Sequence, residues 1–295
     1  MPAPLLIADV PWLLYRSFFG LPKSITNADG QPVNALLGTV NAILSVIDAR
    51  LPVGPVRGVV ACLGDEAAAY RVELYPAYHA HRDPMPVELA AQWQKAPELL
   101  ASLGWTVADS PGLEADDTMF SFALAEQERG GEALLLSGDR DMYGAVSEQI
   151  AVIDLRKGEI APIGPVEVRE RYGVEPEQVP DFIALRGDPS DGLPGAPGIG
   201  AKTAAELLRE HGTLDGVLET AKAPDSALRP RTAAALSENE ELLLVFKRIA
   251  TLQEVEVELP PDGTTNFVEG ARVAGELGMR RLAERLGKLA EAATA

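Results

Sequence analysis

The sequence predicts an α/β fold: a central, mostly parallel sheet flanked by helices, followed by a helical region. Three observations carry that expectation. Short apolar runs at 5–8, 58–63 and 133–136 read as buried strands and alternate with helix-length periodic segments. Each run ends close to a carboxylate, Asp9, Asp65 or Asp139, on the edge where open α/β sheets take their ligands. From Ala204 onward the pattern is mostly helical.

With 295 residues, 46% of them apolar, the chain can build a sizeable core, as one large domain or a domain with a subdomain. No run approaches the ~20 apolar residues that cross a bilayer. The start, MPAPLLIADVPW, has neither a basic region nor a cleavage site, so a cytoplasmic, membrane-free protein is expected. The single cysteine, Cys62, lies in a strand-like run and cannot form an internal disulfide. A net charge of −18 argues, by itself, against a nucleic-acid partner, whose phosphates leave a basic footprint. The exception is a site whose acidic residues bind cations and whose basic groups line only a local groove.

In chain order, the first strand stops at Asp9, and 12–19 is aromatic and apolar with Tyr15 and Arg16 embedded. Asp29 and Gly30 signal a turn, and 35–51 is an apolar helix pattern. The strand 58–63 runs into Gly64, Asp65 and Glu66. Residues 74–86, LYPAYHAHRDPMP, set Tyr75 and Tyr78 beside His79, His81 and Arg82, a mixture that suits single-stranded nucleic acid as well as an ordinary surface loop. Pro86 fits the first turn of a helix running toward Leu103 and bent at Pro97. Further strands are expected at 105–107 and 150–155, and a short helix at 165–172.

The stretch 111–146 concentrates the chemistry. Glu114, Asp116 and Asp117 open a helix pattern closed by Gly130 and Gly131; the buried run 133–136 follows, and then Asp139 and Asp141. If the helix start and the strand end share one sheet edge, five carboxylates meet there. Two carboxylates about 4 Å apart repel by roughly 4 kcal/mol at an effective dielectric of about 20. Hard divalent ions with oxygen ligands relieve that repulsion. Either cluster alone also fits a plainer reading, as acids at a helix N-terminus or a Gly-Asp turn; the number of such motifs favours metal.

Residues 181–204, DFIALRGDPSDGLPGAPGIGAKTA, add Asp188 and Asp191, then set Gly195, Gly198 and Gly200 in a tight loop before a helix beginning near Ala201. This is a helix–hairpin–helix pattern. Its glycines, with Ile199 between them, let backbone N–H groups approach a phosphate, and Lys202 and Thr203 add a cation and a hydroxyl. Beyond it the pattern predicts a helix at 240–251, with Ser237 and Glu240 spaced as a capping box, a strand at 254–259, and an amphipathic C-terminal stretch.

These motifs together resemble the 5′-nuclease family, which includes flap endonucleases and the 5′→3′ exonuclease domain of bacterial DNA polymerase I. The motifs are YRVELYPAYHAHR, MPVEL, PGLEADD, SGDRD and YGVEPEQVPDFIALRGDPSDGLPGAPGIGAKTA, and the similarity covers nearly the whole chain. No polymerase domain follows, so a stand-alone member is expected. The resemblance implies a PIN-like core over 1–176, with a helical arch at 75–103, and a helix-hairpin-helix region over 177–295. It implies that Asp9, Asp65, Glu114, Asp116, Asp117, Asp139, Asp141, Asp188 and Asp191 are metal ligands for two Mg²⁺ or Mn²⁺ ions. Arg82, His79 and Arg16 are implied to balance charge on the scissile phosphate. Tyr75, Tyr78, Gly195, Gly198, Ile199, Gly200, Lys202 and Thr203 are implied to meet DNA, with K⁺ at the hairpin. The expected protein is a monomer acting on DNA with a 5′ flap or 5′ end, RNA-primed ends included, in replication and repair. His79 stands where the family has Lys, Gly64 where it has Asp, Gly192 where it has Asn, and DVPW where it has DGSS. Those departures motivate a second reading, a catalytically weakened binder of branched DNA with the same fold.

Overall fold

The computed structural model describes residues 3–49, 54–155 and 160–294. Six strands form one sheet: β1 (Leu5–Asp9), β2 (Gly58–Leu63), β3 (Thr106–Asp109), β4 (Ala133–Leu136), β5 (Ile150–Ile153) and β6 (Pro162–Ile163). Their spatial order is β3-β2-β1-β4-β5-β6, all parallel except β6. The chain builds outward from β1 on one side, then crosses back to lay β4 on its other side. The C-terminal ends of β1 and β4 therefore flank a topological switch point, where such sheets open a crevice.

Fourteen α-helices are present among the described residues. They are α1 (Val10–Gly20), α2 (Asn34–Asp48), α3 (Ala69–Leu74), α4 (Val87–Trp93), α5 (Ala96–Ser102), α6 (Ala115–Glu128), α7 (Pro165–Tyr172), α8 (Val179–Arg186), α9 (Ala201–His211), α10 (Leu214–Lys222), α11 (Pro230–Glu238), α12 (Glu240–Ala250), α13 (Phe267–Glu276) and α14 (Arg280–Thr294). Strand side chains alternate between faces, and so do the cores. Leu5, Ile7, Val60, Cys62 and Leu135 pack with α6, α8, α9, α10 and α12. Leu6, Ala8, Ala61, Leu63 and Leu136 pack with α1, α2, α5, α13 and α14. Both faces are covered, which explains strands that read as unbroken apolar runs.

The strand 58–63 and the helix 165–172 form as the sequence predicts. The helix expected at 35–51 spans Asn34–Asp48, and Arg50 and Leu51 fall outside the described residues. Other expectations need correction. The helix toward Leu103 is two helices, because Pro97 sits in the first turn of α5 and cannot continue a ladder from α4. Both pack inward: Leu89, Leu99, Leu100 and Leu103 are buried, and the Gln92 side-chain Oε1 accepts from the backbone N–H groups of Ala35 and Leu36. Ser237 lies within α11, and Asn239 precedes α12, so no capping box forms there. Residues 254–259 make no strand. Side chains of α6 take their backbone groups instead: Asp117 accepts from the Gln253 N–H and Ser121 from the Val255 N–H. The alternation remains as exposed Glu254, Glu256 and Glu258 between partly buried Val255, Val257 and Leu259.

One buried ion pair ties β2 to this C-terminal segment. The Arg57 guanidinium contacts both carboxylate oxygens of Glu126 and donates to the Pro260 carbonyl at 2.8 Å. Gly131 must be glycine here, since a Cβ would fall 2.2 Å from Glu126 Oε1. Removing one partner of a buried pair strands the other charge. Glu126→Ala is therefore expected to cost about 3–5 kcal/mol in urea unfolding, and the double change Arg57→Met, Glu126→Leu distinctly less.

Candidate active site

Asp9 is both the last residue of β1 and the N-cap of α1. Its Oδ1 accepts from the Trp12 N–H at 2.9 Å, and its Oδ2 from the Ser137 hydroxyl at 2.7 Å. Ser137 Oγ in turn accepts from the Asp139 N–H at 3.0 Å, and Asp139 Oδ1 from the Asp141 N–H at 3.1 Å. The loop after β4 is thus strung from the end of β1. Trp12 lies against this loop so closely that a Cβ on Gly138 would fall 2.3 Å from Trp12 Cζ2.

The opposite wall is the start of α6. Glu114 precedes the helix and Asp116 lies in its first turn. Glu114 accepts from the Ala68 N–H at 2.8 Å and the Tyr78 hydroxyl at 3.0 Å, and lies 3.2 Å from Arg71 Nη1. The third wall is the hairpin loop, whose Asp191 Oδ1 lies 3.1 Å from His79 Nε2 and 3.3 Å from Arg82 Nη2. Together they surround a cavity of about 580 Å³, lined by the carboxylates and also by Trp12, Tyr15, Phe19 and Trp93.

Burial and mutual repulsion act on these acids together. Desolvation, offset in part by the Ser137 and Trp12 hydrogen bonds, pushes Asp9 up to about 7. Desolvation and then Asp191 push Asp139 up to about 6. Asp116 and Asp141 lie well above the usual carboxylate range, through burial first and the neighbouring Asp139 second. The Oδ1 of Asp141 is buried without a hydrogen-bond partner.

Asp9, Asp65, Glu114, Asp116, Asp139, Asp141, Asp191, His79, Arg82 and Tyr78 all line the cavity. Apart from the six hairpin residues at 195–203, four of the expected residues do not. Asp117 is fully buried behind the wall, where it receives both terminal nitrogens of Arg71 at 2.8 Å and the Gln253 N–H. With both oxygens engaged there, it points away from the cavity. Asp188 serves the hairpin loop, accepting from the Ser190 N–H and hydroxyl and pairing with Arg186 at 3.3 Å; its charge still reaches Asp139 and Asp141. Arg16 is exposed, stands over the Trp12 ring and reaches the Leu155 carbonyl. Tyr75 is half-buried, edge-on to Phe246 with ring centroids 5.2 Å apart. Asp65 is on the exposed rim and accepts from the Gly112 N–H. A side chain at Gly64 has no room, because a Cβ would lie 2.5 Å from the Ala115 nitrogen.

Sequence reasoning gave Arg71, Ser137 and Trp12 no role. Arg71 lies beside Tyr70 in the YRVELYPAYHAHR motif, but its partners Asp117 and Ile249 are 46 and 178 residues away. At the hairpin, Gly195 packs onto the backbone of Gly187, and Ile199 is buried. Thr203 is half-buried, while Gly198, Gly200 and Lys202 are exposed at the tip.

Comparison with known proteins agrees with this architecture. The family model described as 5′-3′ exonuclease, N-terminal resolvase-like domain matches residues 4–173, and that described as 5′-3′ exonuclease, C-terminal SAM fold matches 174–266. A 5′-3′ exonuclease of Mycobacterium tuberculosis is 39% identical over 243 residues, 75% of this chain and 74% of the relative. The thermostable DNA polymerase I of Thermus thermophilus is 38% identical over 255 residues, 86% of this chain but 30% of the polymerase. In fold, the chain is similar to the T5 D15 protein co-crystallized with metal ions, with a TM-score of 0.68 at 18% identity over 97% of each chain. It is also similar to the catalytic core of Rad2 in complex with DNA substrate, at 0.63 and 12% identity over 96% of this chain and 92% of that one. The resemblance drawn from the motifs, and the PIN-like core with its helical hairpin region, are both borne out. With the two family models matched in succession from residue 4 to residue 266, the chain belongs to the 5′-3′ exonuclease family, and it is a hydrolytic nuclease.

Proposed function

We propose that this protein hydrolyses DNA phosphodiesters at a 5′ flap or 5′ end, RNA-primed ends included, with two divalent ions held in the carboxylate cleft. The observation that carries the proposal is the set Asp9, Asp116, Asp139 and Asp141, whose proton affinities are raised by burial and by one another at the sheet's switch point. The donor chemistry fits Mg²⁺ or Mn²⁺: every donor is a hard carboxylate oxygen, and Asp141 Oδ1 is buried with nothing to accept from. Among the described residues no three acidic, imidazole or thiol side chains are already closed around one point. They ring the cleft, and cations would draw them inward. Asp9, Glu114 and Asp116 would serve one ion and Asp139, Asp141 and Asp191 the other, with Asp116 between them. Such ions activate a bound water and neutralise charge on the phosphate and leaving oxygen.

The protein's own groups do the rest. Arg82, 44% exposed on its side chain, stands at the cleft edge with guanidinium donors to spare for a phosphate. The aromatic rings in the lining, Trp12, Tyr15, Phe19 and Trp93, give an unpaired base apolar faces to stack on. The exposed hairpin tip at Gly198 and Gly200, open to approach on both glycines, suits backbone contact with a duplex phosphate or a K⁺ ion. Contacts of that kind ignore base identity, so sequence preference should be slight.

Cleavage of an end-labelled 5′-flap beside a blunt duplex, in Mg²⁺ and in Mn²⁺, tests the activity directly. Binding without cleavage in either metal would leave the weakened branched-DNA binder. Asp139→Asn with Asp141→Asn is expected to lower single-turnover cleavage by more than about a thousandfold, at or beyond the scale lost with one preorganised transition-state contact. DNA affinity measured in EDTA should hold in that variant.

The raised acids also make a stability prediction. Between the ordinary carboxyl value of 3.8 and about 7, folded Asp9 binds more proton than the unfolded chain does. This contribution to stability is present at low pH and is lost as pH rises through that window. Without divalent ions, the melting temperature should therefore fall from about pH 5 to about pH 7.5, and Mn²⁺ should restore it at the upper end. Asp9→Asn should make the metal-free profile shallower, the remainder coming from Asp139, while abolishing cleavage; an unaltered slope would show that Asp9 does not titrate in this window.

A further inference from the structure

The carboxylates at the two ends of the cleft, Glu114 beside α6 and Asp191 in the hairpin loop, are held by two consecutive residues. Tyr78 is only 5% exposed, and its hydroxyl reaches both Glu114 oxygens, at 3.0 and 3.2 Å. His79 turns to the other end. Its Nε2 lies 3.1 Å from Asp191 Oδ1 and its Nδ1 2.9 Å from the Glu66 carbonyl. The two rings stack, with centroids 3.9 Å apart and planes inclined by 18°.

Adjacent side chains in a regular strand point to opposite faces, and in a helix they splay apart. Stacking of neighbours therefore needs an unusual backbone, and His79 supplies it with φ +54°, the one left-handed non-glycine among the described residues. In that conformation its N–H also donates to the Asp191 carbonyl at 3.1 Å, so main chain and ring grip the same residue. Gly192 keeps the contact close, since a Cβ there would lie 3.0 Å from the Ala77 carbonyl and 3.2 Å from the His81 ring.

We infer that Tyr78 and His79 are positioning residues that set the spacing and orientation of Glu114 and Asp191, and so of the two ends of the ion-binding cleft. The inference rests on the two-ion reading above. It gives His79 a role through Asp191 and not on the scissile phosphate. The ring is 7% exposed, and both of its nitrogens already face protein acceptors, so it has no donor left for a phosphate. Tyr78 is likewise assigned to Glu114, not to DNA.

The test is Mn²⁺ binding to the DNA-free protein, followed by electron paramagnetic resonance, for wild type, Tyr78→Phe and His79→Asn. Phenylalanine removes one hydroxyl oxygen and keeps the stack. Asparagine tolerates the left-handed backbone but is too short to reach Asp191. Each variant is expected to weaken Mn²⁺ binding by about tenfold or more, the usual loss when a partner of a metal ligand is removed. Affinity for a 5′-flap oligonucleotide in EDTA should stay within about twofold, because nothing that meets DNA has changed. Wild-type Mn²⁺ titrations in both variants would overturn the inference. So would a drop in metal-free DNA affinity for His79→Asn with unchanged Mn²⁺ binding, which would put the imidazole on DNA. If one variant fails to fold by circular dichroism, the other decides alone. Should the wild type itself take up no Mn²⁺, the two-ion reading falls and this inference with it, an outcome distinct from intact wild-type binding with unaffected variants.

Discussion

Asp9, Asp116, Asp139 and Asp141 are drawn out of water within reach of one another's charge, and each holds its proton more tightly than a free carboxyl does. Charge in a low-dielectric interior is costly unless it is paired or hydrogen-bonded. Much of the surrounding structure answers that cost. The Ser137 hydroxyl and the Trp12 N–H feed Asp9, the Asp141 N–H feeds Asp139, and Arg71 and Tyr78 feed Glu114. What these contacts leave unanswered, the bare Oδ1 of Asp141 above all, is the part that calls for a cation.

Helical region and sheet are joined by the same electrostatics. Arg71 donates to the Ile249 carbonyl at the end of α12 while its other nitrogens hold Asp117 on α6. The segment that follows α12 runs along α6, its backbone received by Asp117 and Ser121. Asp117 therefore works as a buried counter-ion and a backbone acceptor together. An acid beside two cleft carboxylates in sequence belongs to the scaffold that steadies them.

The local parts of this design were legible in the sequence. A short unbroken apolar run with a carboxylate behind it fits a covered strand ending at an edge, so 58–63 and the acids after β1 and β4 could be read from the sequence. The short helix expected at 165–172 forms as α7, with Pro165 in its first turn and Gly173 closing it at a φ of +73°. What stayed hidden was decided between residues far apart. Asp117 and Asp116 look alike on paper, but α6 turns one toward Arg71 and the other toward the cavity. Tyr75 and Tyr78 share a motif, yet one packs on Phe246 and the other on Glu114. The alternation at 254–259 was a true sign of one buried side, but no neighbouring strand was there to pair with it.

The helices α13 and α14 lie past residue 266, where the family models stop. They pack on the face of the sheet opposite the hairpin, with Val273, Ala274, Leu282 and Leu286 against the layer that holds Leu36, Leu99 and Leu103. Gly270 sits so tightly on Leu103 that a Cβ would come within 2.4 Å of its Cδ2. A protein trimmed to the recognisable nuclease segment would keep every acid of its cleft and still present a raw apolar seam to water. The cover that α13 and α14 lay over this layer is thus part of the fold, although it lies outside the segment that carries the cleft acids.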